Sequence, residues 1–123
     1  MGKHVFTRHG FILILLGAAV CLAGCDTQLR KSDAELGLNA QQAAGRRLFD
    51  RHCGMCHEPY SSRNLRGPSL QALFKKPYMV SGTPANDERV SEVVMLGRAK
   101  MPAFNRVLTQ QQLDDLLAYL HTL

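Results

Sequence analysis

The sequence predicts an all-α fold, and three observations carry that reading. Four or so helical segments can be read, each opened by an Asn, Asp, Ser or Thr able to cap it. No segment alternates apolar and polar residues regularly enough to be a strand. The chain has 123 residues, 46% apolar and 20% charged, which fits one small domain and excludes a disordered tail or a membrane bundle. Lys plus Arg is 15 against 10 Asp plus Glu, and this excess of +5 is too mild to argue for nucleic acid.

Residues 1–24 read as a signal peptide. Lys3 and Arg8 make a basic start, and Phe11 to Gly24 is an uncharged, mostly aliphatic run of 14 residues. As a helix it would reach about 21 Å at ~1.5 Å per residue, short of a hydrocarbon core of ~30 Å. That favours a cleaved secretory segment over a permanent span. Its end, Leu22-Ala23-Gly24-Cys25, resembles the lipobox of bacterial lipoproteins. The resemblance implies that Cys25 becomes the lipid-bearing N-terminus, and Asp26 behind it resembles an inner-membrane retention signal. The plain alternative is a soluble signal peptide with an incidental Cys25. Residues 25–38 are then the lipidated Cys and a polar tether, and 39–123 the folded domain. From Asp26 to Leu38 the tether would reach about 43–47 Å extended and ~20 Å as a coil.

Asn39 caps a first helix running to about Cys53, with Ala40, Ala44 and Leu48 on one stripe and Gly45 and Phe49 on the next. A Gly inside a helix costs ~1 kcal/mol relative to Ala, so Gly45 points to close approach by another backbone. Tyr60 to Pro68 is loop, Ser69 caps a short helix to about Phe74, and Pro77 ends it. Gly82-Thr83-Pro84 is a turn. Asn86 or Asp87 caps a helix to about Leu96, with Val90, Val93 and Val94 inward and Gly97 just past its end. Lys100 to Val107 is loop. Thr109 and Gln112 form a capping box for the last helix, whose Leu113, Leu116, Leu117 and Leu120 follow i, i+3, i+4, i+7 with Tyr119 beside them. Loops of this length leave a small apolar core, which something besides side chains must fill.

The chemistry sits at Cys53-Gly54-Met55-Cys56-His57. C-x-x-C-H is the attachment pattern of a c-type haem. Thiols three residues apart lie on one face of a turn and reach both vinyl groups of a porphyrin, and His57 brings its imidazole to the iron. A thiol–disulfide centre would need a βαβ setting, and a zinc site a second Cys pair; the chain offers neither. Met101, in Met101-Pro102-Ala103-Phe104, supplies the sixth ligand. Pro102 disfavours the helical conformation for Met101, so its thioether projects from a loop. Met79 is the second candidate. Met55 is expected to point away and Met95 to pack, and His52 and His121 are weaker rivals.

The order Gly45-x-x-x-Phe49-x-x-x-Cys53-x-x-Cys56-His57, then Gly67-Pro68-Ser69-Leu70, then Met101-Pro102-Ala103-Phe104, then a last helix with Leu116 and Tyr119, resembles class I cytochrome c over 39–123. The resemblance implies a cytochrome c fold around one covalent haem c. The first and last helices would cross where Gly45 and Phe49 meet Leu116, Tyr119 and Leu120. It further implies that the Pro68 carbonyl accepts a hydrogen bond from His57, fixing the tautomer and raising its basicity. The departure is the absence of Trp, for which Tyr60, Tyr78, Arg63 and Arg66 are the candidate substitutes near the haem propionates.

With His57 and Met101 both on iron, no position remains for a substrate, so the expectation is an electron carrier and not an enzyme. It would exchange single electrons with a redox protein (an oxidase, dehydrogenase or reductase) on the periplasmic side of the cell envelope, anchored to the membrane by lipid. No nucleic acid or small-molecule substrate is expected. Arg63, Arg66, Lys75, Lys76, Arg98 and Lys100 fall in segments that flank the haem in the family, where they would steer an acidic partner. The competing readings are a haem sensor or peroxidase-like enzyme with an open or labile sixth site, and a thiol-redox or metal-binding lipoprotein without haem.

Overall fold

A computed structural model of the chain describes residues 31–123. The expected signal peptide, Cys25 and the first part of the tether lie outside the described residues. Among the described residues three α-helices, α1 (Ala40–His52), α2 (Asp87–Leu96) and α3 (Gln110–Leu120), are joined by long loops that hold a single 3₁₀ turn at Leu73–Lys75. Among the described residues there is no strand, only isolated bridges at Tyr78–Pro84 and Arg98–Met101. The fold is all-α, as expected.

Each helix begins where its capping residue dictates. Asn39 accepts from the Gln42 amide, and the Gln42 side chain returns the bond to the Asn39 amide. Asn86 accepts from the Arg89 amide, which settles the choice between Asn86 and Asp87. Thr109 and Gln112 close the expected capping box. These bonds satisfy amides that have no partner inside their helix.

α1 and α3 make the main helix contact. They cross at Gly45, where an added Cβ would overlap the Asp115 carbonyl oxygen and lie 2.8 Å from the Tyr119 Cβ. Only Gly admits that approach. The aromatic rings of Phe49 and Tyr119 meet beside it, tilted by 58° with centroids 5.5 Å apart. Phe49, Leu116 and Tyr119 are the most deeply buried large side chains, and Val90 and Val94 of α2 complete the core with Leu113, Leu117 and Leu120. Because α3 lies over Gly45, the buried face of α1 is Ala43, Gly45 and Phe49, while Ala40 is exposed and Ala44 and Leu48 are half-buried. The stripe expected on Ala40, Ala44 and Leu48 is therefore rotated. Val93 likewise ends half-buried, beside the inward Val90 and Val94.

Two segments differ from expectation. The helix expected from Ser69 to Phe74 is reduced to the 3₁₀ turn. Ser69 Oγ does accept from the Gln71 amide, but Ala72 turns to φ 55° and breaks the helical path. The Gln71 side chain is bonded to the Tyr60 carbonyl, which holds this stretch to the preceding loop. Residues 32–38, expected in the tether, pack on the domain. Ser32 and Glu35 exchange bonds across one turn, Asp33 pairs with Arg46 at 2.9 Å, and Leu38 packs against the core.

Candidate haem-binding site

The C-terminal end of α1 builds the first half of the site. The Cys53 amide donates to the Phe49 carbonyl, and the amides of Cys56 and His57 both return to the Cys53 carbonyl at 2.9 Å. Cys53, Cys56 and His57 therefore share one tight turn, rigidly continuous with the helix crossing. Both cysteines are half-buried free thiols. Burial, and secondarily the neighbouring Cys56, pushes the Cys53 thiol up to about 11. Thiol–disulfide centres work by lowering a cysteine pKa, and burial moves Cys53 the other way. Among the described residues no three of His, Cys, Asp and Glu gather to hold a bare metal ion. Met55, between the cysteines, is 75% exposed and faces away.

His57 is buried, and its Nδ1 lies 2.8 Å from the Pro68 carbonyl oxygen. A carbonyl can only accept, so Nδ1 carries the hydrogen and Nε2 keeps the lone pair a metal needs. Gly67 makes room for this arrangement. A Cβ there would sit 2.5 Å from His57 Cε1 and 2.9 Å from Nδ1, so the imidazole lies flat against bare backbone. The loop from 56 to 71 is stitched to itself to hold that position. The Gly67 amide donates to the Cys56 carbonyl, Leu70 to Glu58, and Ser69 Oγ to Ser61.

Met79 and Met101 are both half-buried and packed against the core, as are Met95, Leu70, Phe74 and Phe104. These apolar side chains touch the core yet keep part of their surface uncovered. Two free thiols, an imidazole with Nε2 available and a partly uncovered apolar wall fit a covalently held haem. His52 instead packs edge-on against Phe104, and His121 is bonded to Asp87 and stacked on Phe74.

The family known as cytochrome c oxidase, cbb3-type, subunit III matches residues 40–120. The chain belongs to the class I c-type cytochromes. Two relatives are similar to this cytochrome. Cytochrome c6 of Rippkaea orientalis is 32% identical over 82 residues, covering 67% of this chain and 70% of its own. A cytochrome c6-like protein of Nostoc is 30% identical over 88 residues, covering 72% and 71%. Membership implies one covalent haem c and the role of a haem-based electron carrier, not an enzyme.

Of the four Trp substitutes considered, two are committed elsewhere in the cytochrome. The Tyr60 hydroxyl is 2.7 Å from the Tyr119 hydroxyl, and Arg63 pairs with Glu58 at 3.0 Å. Arg66 and Tyr78 are exposed. Glu58, next to His57, is only 3% exposed. Nothing in a Glu following His57 signals burial; it follows from the loop folding back over it. One carboxylate oxygen accepts from Arg63 and the other has no protein partner.

Proposed function

We propose that this cytochrome is a lipid-anchored periplasmic electron carrier in which His57 and Met101 would hold the haem iron. The observation that carries the reading is the His57–Pro68 bond within one turn of two free thiols. Cys53 and Cys56 would hold the haem covalently. His57 would present Nε2 to the iron, and Pro68 would keep its tautomer and orientation fixed. When bound, the haem supplies a one-electron Fe(III)/Fe(II) couple. A thioether on the sixth position favours the ferrous state, as does a dry apolar wall, so the chain would set a raised potential. Both Met79 and Met101 stand in loops, and Met101 is preferred because the stretch Met101-Pro102-Ala103-Phe104 carries the resemblance to the family.

Cys25 would anchor the protein, with Asp26 favouring the inner membrane and the stretch before Ser32 as tether. The partner would be an oxidase, dehydrogenase or reductase with an acidic docking face. Arg66, Arg98 and Lys100, all exposed, are the cations that support this reading. Arg63 is paired with Glu58, whereas Lys75 and Lys76, bonded to the carbonyls of Leu123 and Gln71, keep their full charge and add to that support.

Met101→Ala tests the ligand set. Wild type should show the weak ferric iron–sulfur absorption band and resist carbon monoxide when reduced. The variant should lose the band, fall in potential and bind carbon monoxide. An unchanged spectrum and potential would move the ligand to Met79. Ready binding by wild type would favour a sensor or peroxidase-like enzyme. Cys25→Ser should release the protein from membranes or block its processing; an unmodified Cys25 in the mature protein would end the anchor reading.

A further inference from the structure

α2 ends at Gly97, which has φ +74°. A Cβ there would stand 2.7 Å from the Met101 carbonyl oxygen, 2.8 Å from the Ala103 amide nitrogen and 2.9 Å from the Pro102 carbonyl carbon. The Met101-Pro102-Ala103 backbone therefore lies directly on the end of the helix, over the one residue that has no side chain to keep it off. Between them the chain makes a tight loop through Ala99, at φ 52°, a left-handed conformation seldom adopted outside Gly, Asn and Asp. The loop is closed from both sides: the Arg98 amide donates to the Met101 carbonyl at 3.1 Å, and the Met101 amide to the Arg98 carbonyl at 2.9 Å. Beyond it, the amides of Phe104 and Asn105 donate to the carbonyls of Val94 and Met95, at 3.1 and 3.2 Å. Both polar backbone groups of Met101 are thus fixed, and the segment that follows is fastened to the last turn of α2.

We propose that Gly97 is a positioning residue for the sixth iron ligand, holding Met101 through its backbone by letting the loop seat on the helix end. The proposal rests on Met101 being that ligand. A Met side chain has three rotatable bonds and few rotamer constraints, so its sulfur is placed only as well as its backbone is. A carrier must keep the same ligand through both oxidation states, and preorganised backbone is the means the chain has of doing so. An Ala at 97 would meet both a left-handed φ and occupied space. It would lift the Met101-Pro102-Ala103 segment and let the thioether leave the iron. A Gly that merely ended the helix would affect stability alone.

The experiment uses the haem-loaded protein. Gly97→Ala should lose most of the ferric iron–sulfur band, and its ferrous form should gain carbon monoxide affinity. The gain should be roughly ten-fold or more, as expected when the sixth position is open in roughly ten-fold more molecules. Helical circular dichroism and haem staining should be unchanged. Gly97→Asn adds a Cβ at the same place and is no better suited to φ +74° with ψ 169°, a combination adopted almost only by Gly, so it should behave like Gly97→Ala. A wild-type band and carbon monoxide resistance in both variants would overturn the proposal. Should neither variant fold, amide exchange in wild type decides. The Met101 and Gly97 amides should exchange together as one unit, and a Met101 amide that exchanges freely while Gly97 stays protected would overturn it. Met101→Ala, measured in parallel, separates the two failures: if it leaves the band intact, the ligand assignment has failed and not the seating of the loop.

Discussion

The hydroxyl groups of Tyr60 and Tyr119 lie 2.7 Å apart and join the loop that follows His57 to the crossing of α1 and α3. The Tyr119 ring is buried against Phe49, so its hydroxyl has this bond in place of water. Tyr60→Phe should leave that hydroxyl without a partner and cost about 1–3 kcal/mol, read as a lower denaturant midpoint. Adding Tyr119→Phe removes the stranded group, so the double variant should recover part of the loss. A Tyr60→Phe protein as stable as wild type would show that the bond contributes nothing.

The same pair sets an alkaline limit. Burial, and then the hydrogen bond with Tyr60, raises the Tyr119 pKa well above the usual phenol value. The folded protein therefore holds this proton more tightly than the unfolded chain. The stability it contributes is fully present below the unfolded value of ~10 and is lost as pH rises beyond it. Unfolding free energy measured from neutral to strongly alkaline pH should fall above that point, and Tyr119→Phe should flatten the fall.

Gly45→Ala should be among the most damaging single methyl additions in the domain. The new Cβ would overlap the Asp115 backbone carbonyl, which cannot move aside as a flexible side chain would. Overpacking costs typically about 1–3 kcal/mol and more where backbone must shift, against ~1 kcal/mol returned by helix propensity. Thermal unfolding of the haem-loaded variant measures the net loss; a stabilised variant would contradict the crossing geometry.

Gly67→Ala should act on the electronics of the site more than on its stability. Its Cβ would press on the His57 ring and disturb the bond from Nδ1 to the Pro68 carbonyl. A weaker bond makes the imidazole less basic and supports Fe(III) less well, so the reduction potential should rise. Redox titration against wild type checks the direction, and an unchanged or lower potential would count against this role for the bond.

Exposed cations at Arg66, Arg98 and Lys100 predict a charge-dependent encounter. A small anionic oxidant should react faster than a cationic one of similar driving force at low salt. The difference should shrink as added salt brings the Debye length to ~10 Å near 0.1 M. Arg66→Gln with Lys100→Gln should lessen it, measured by stopped-flow mixing. Equal rates at low salt would leave these charges without a steering role.

Short-range chemistry made much of this protein legible from its residues alone. Asn39, Asn86 and Thr109 fixed where helices begin, because a cap acts within three residues of itself. C-x-x-C-H identified the haem turn because both thiols and the imidazole belong to one local unit. Ser32 and Glu35 also carried a readable signal for the ordered turn before α1, since Ser-x-x-Glu is a capping-box pattern. What depends on segments distant in sequence was decided only by the tertiary structure. The rotation of α1 that buries Ala43 follows from α3 resting on Gly45. The burial of Glu58 follows from the loop folding over it, and the commitment of Tyr60 to Tyr119 joins positions far apart in the chain. The left-handed turn at Ala99 had no residue signal, because Ala does not favour it; closure of the Arg98–Met101 loop over Gly97 imposes it. Local bonding preferences belong to residue types and can be read in order, whereas close approach between elements exists only once the chain has folded back on itself.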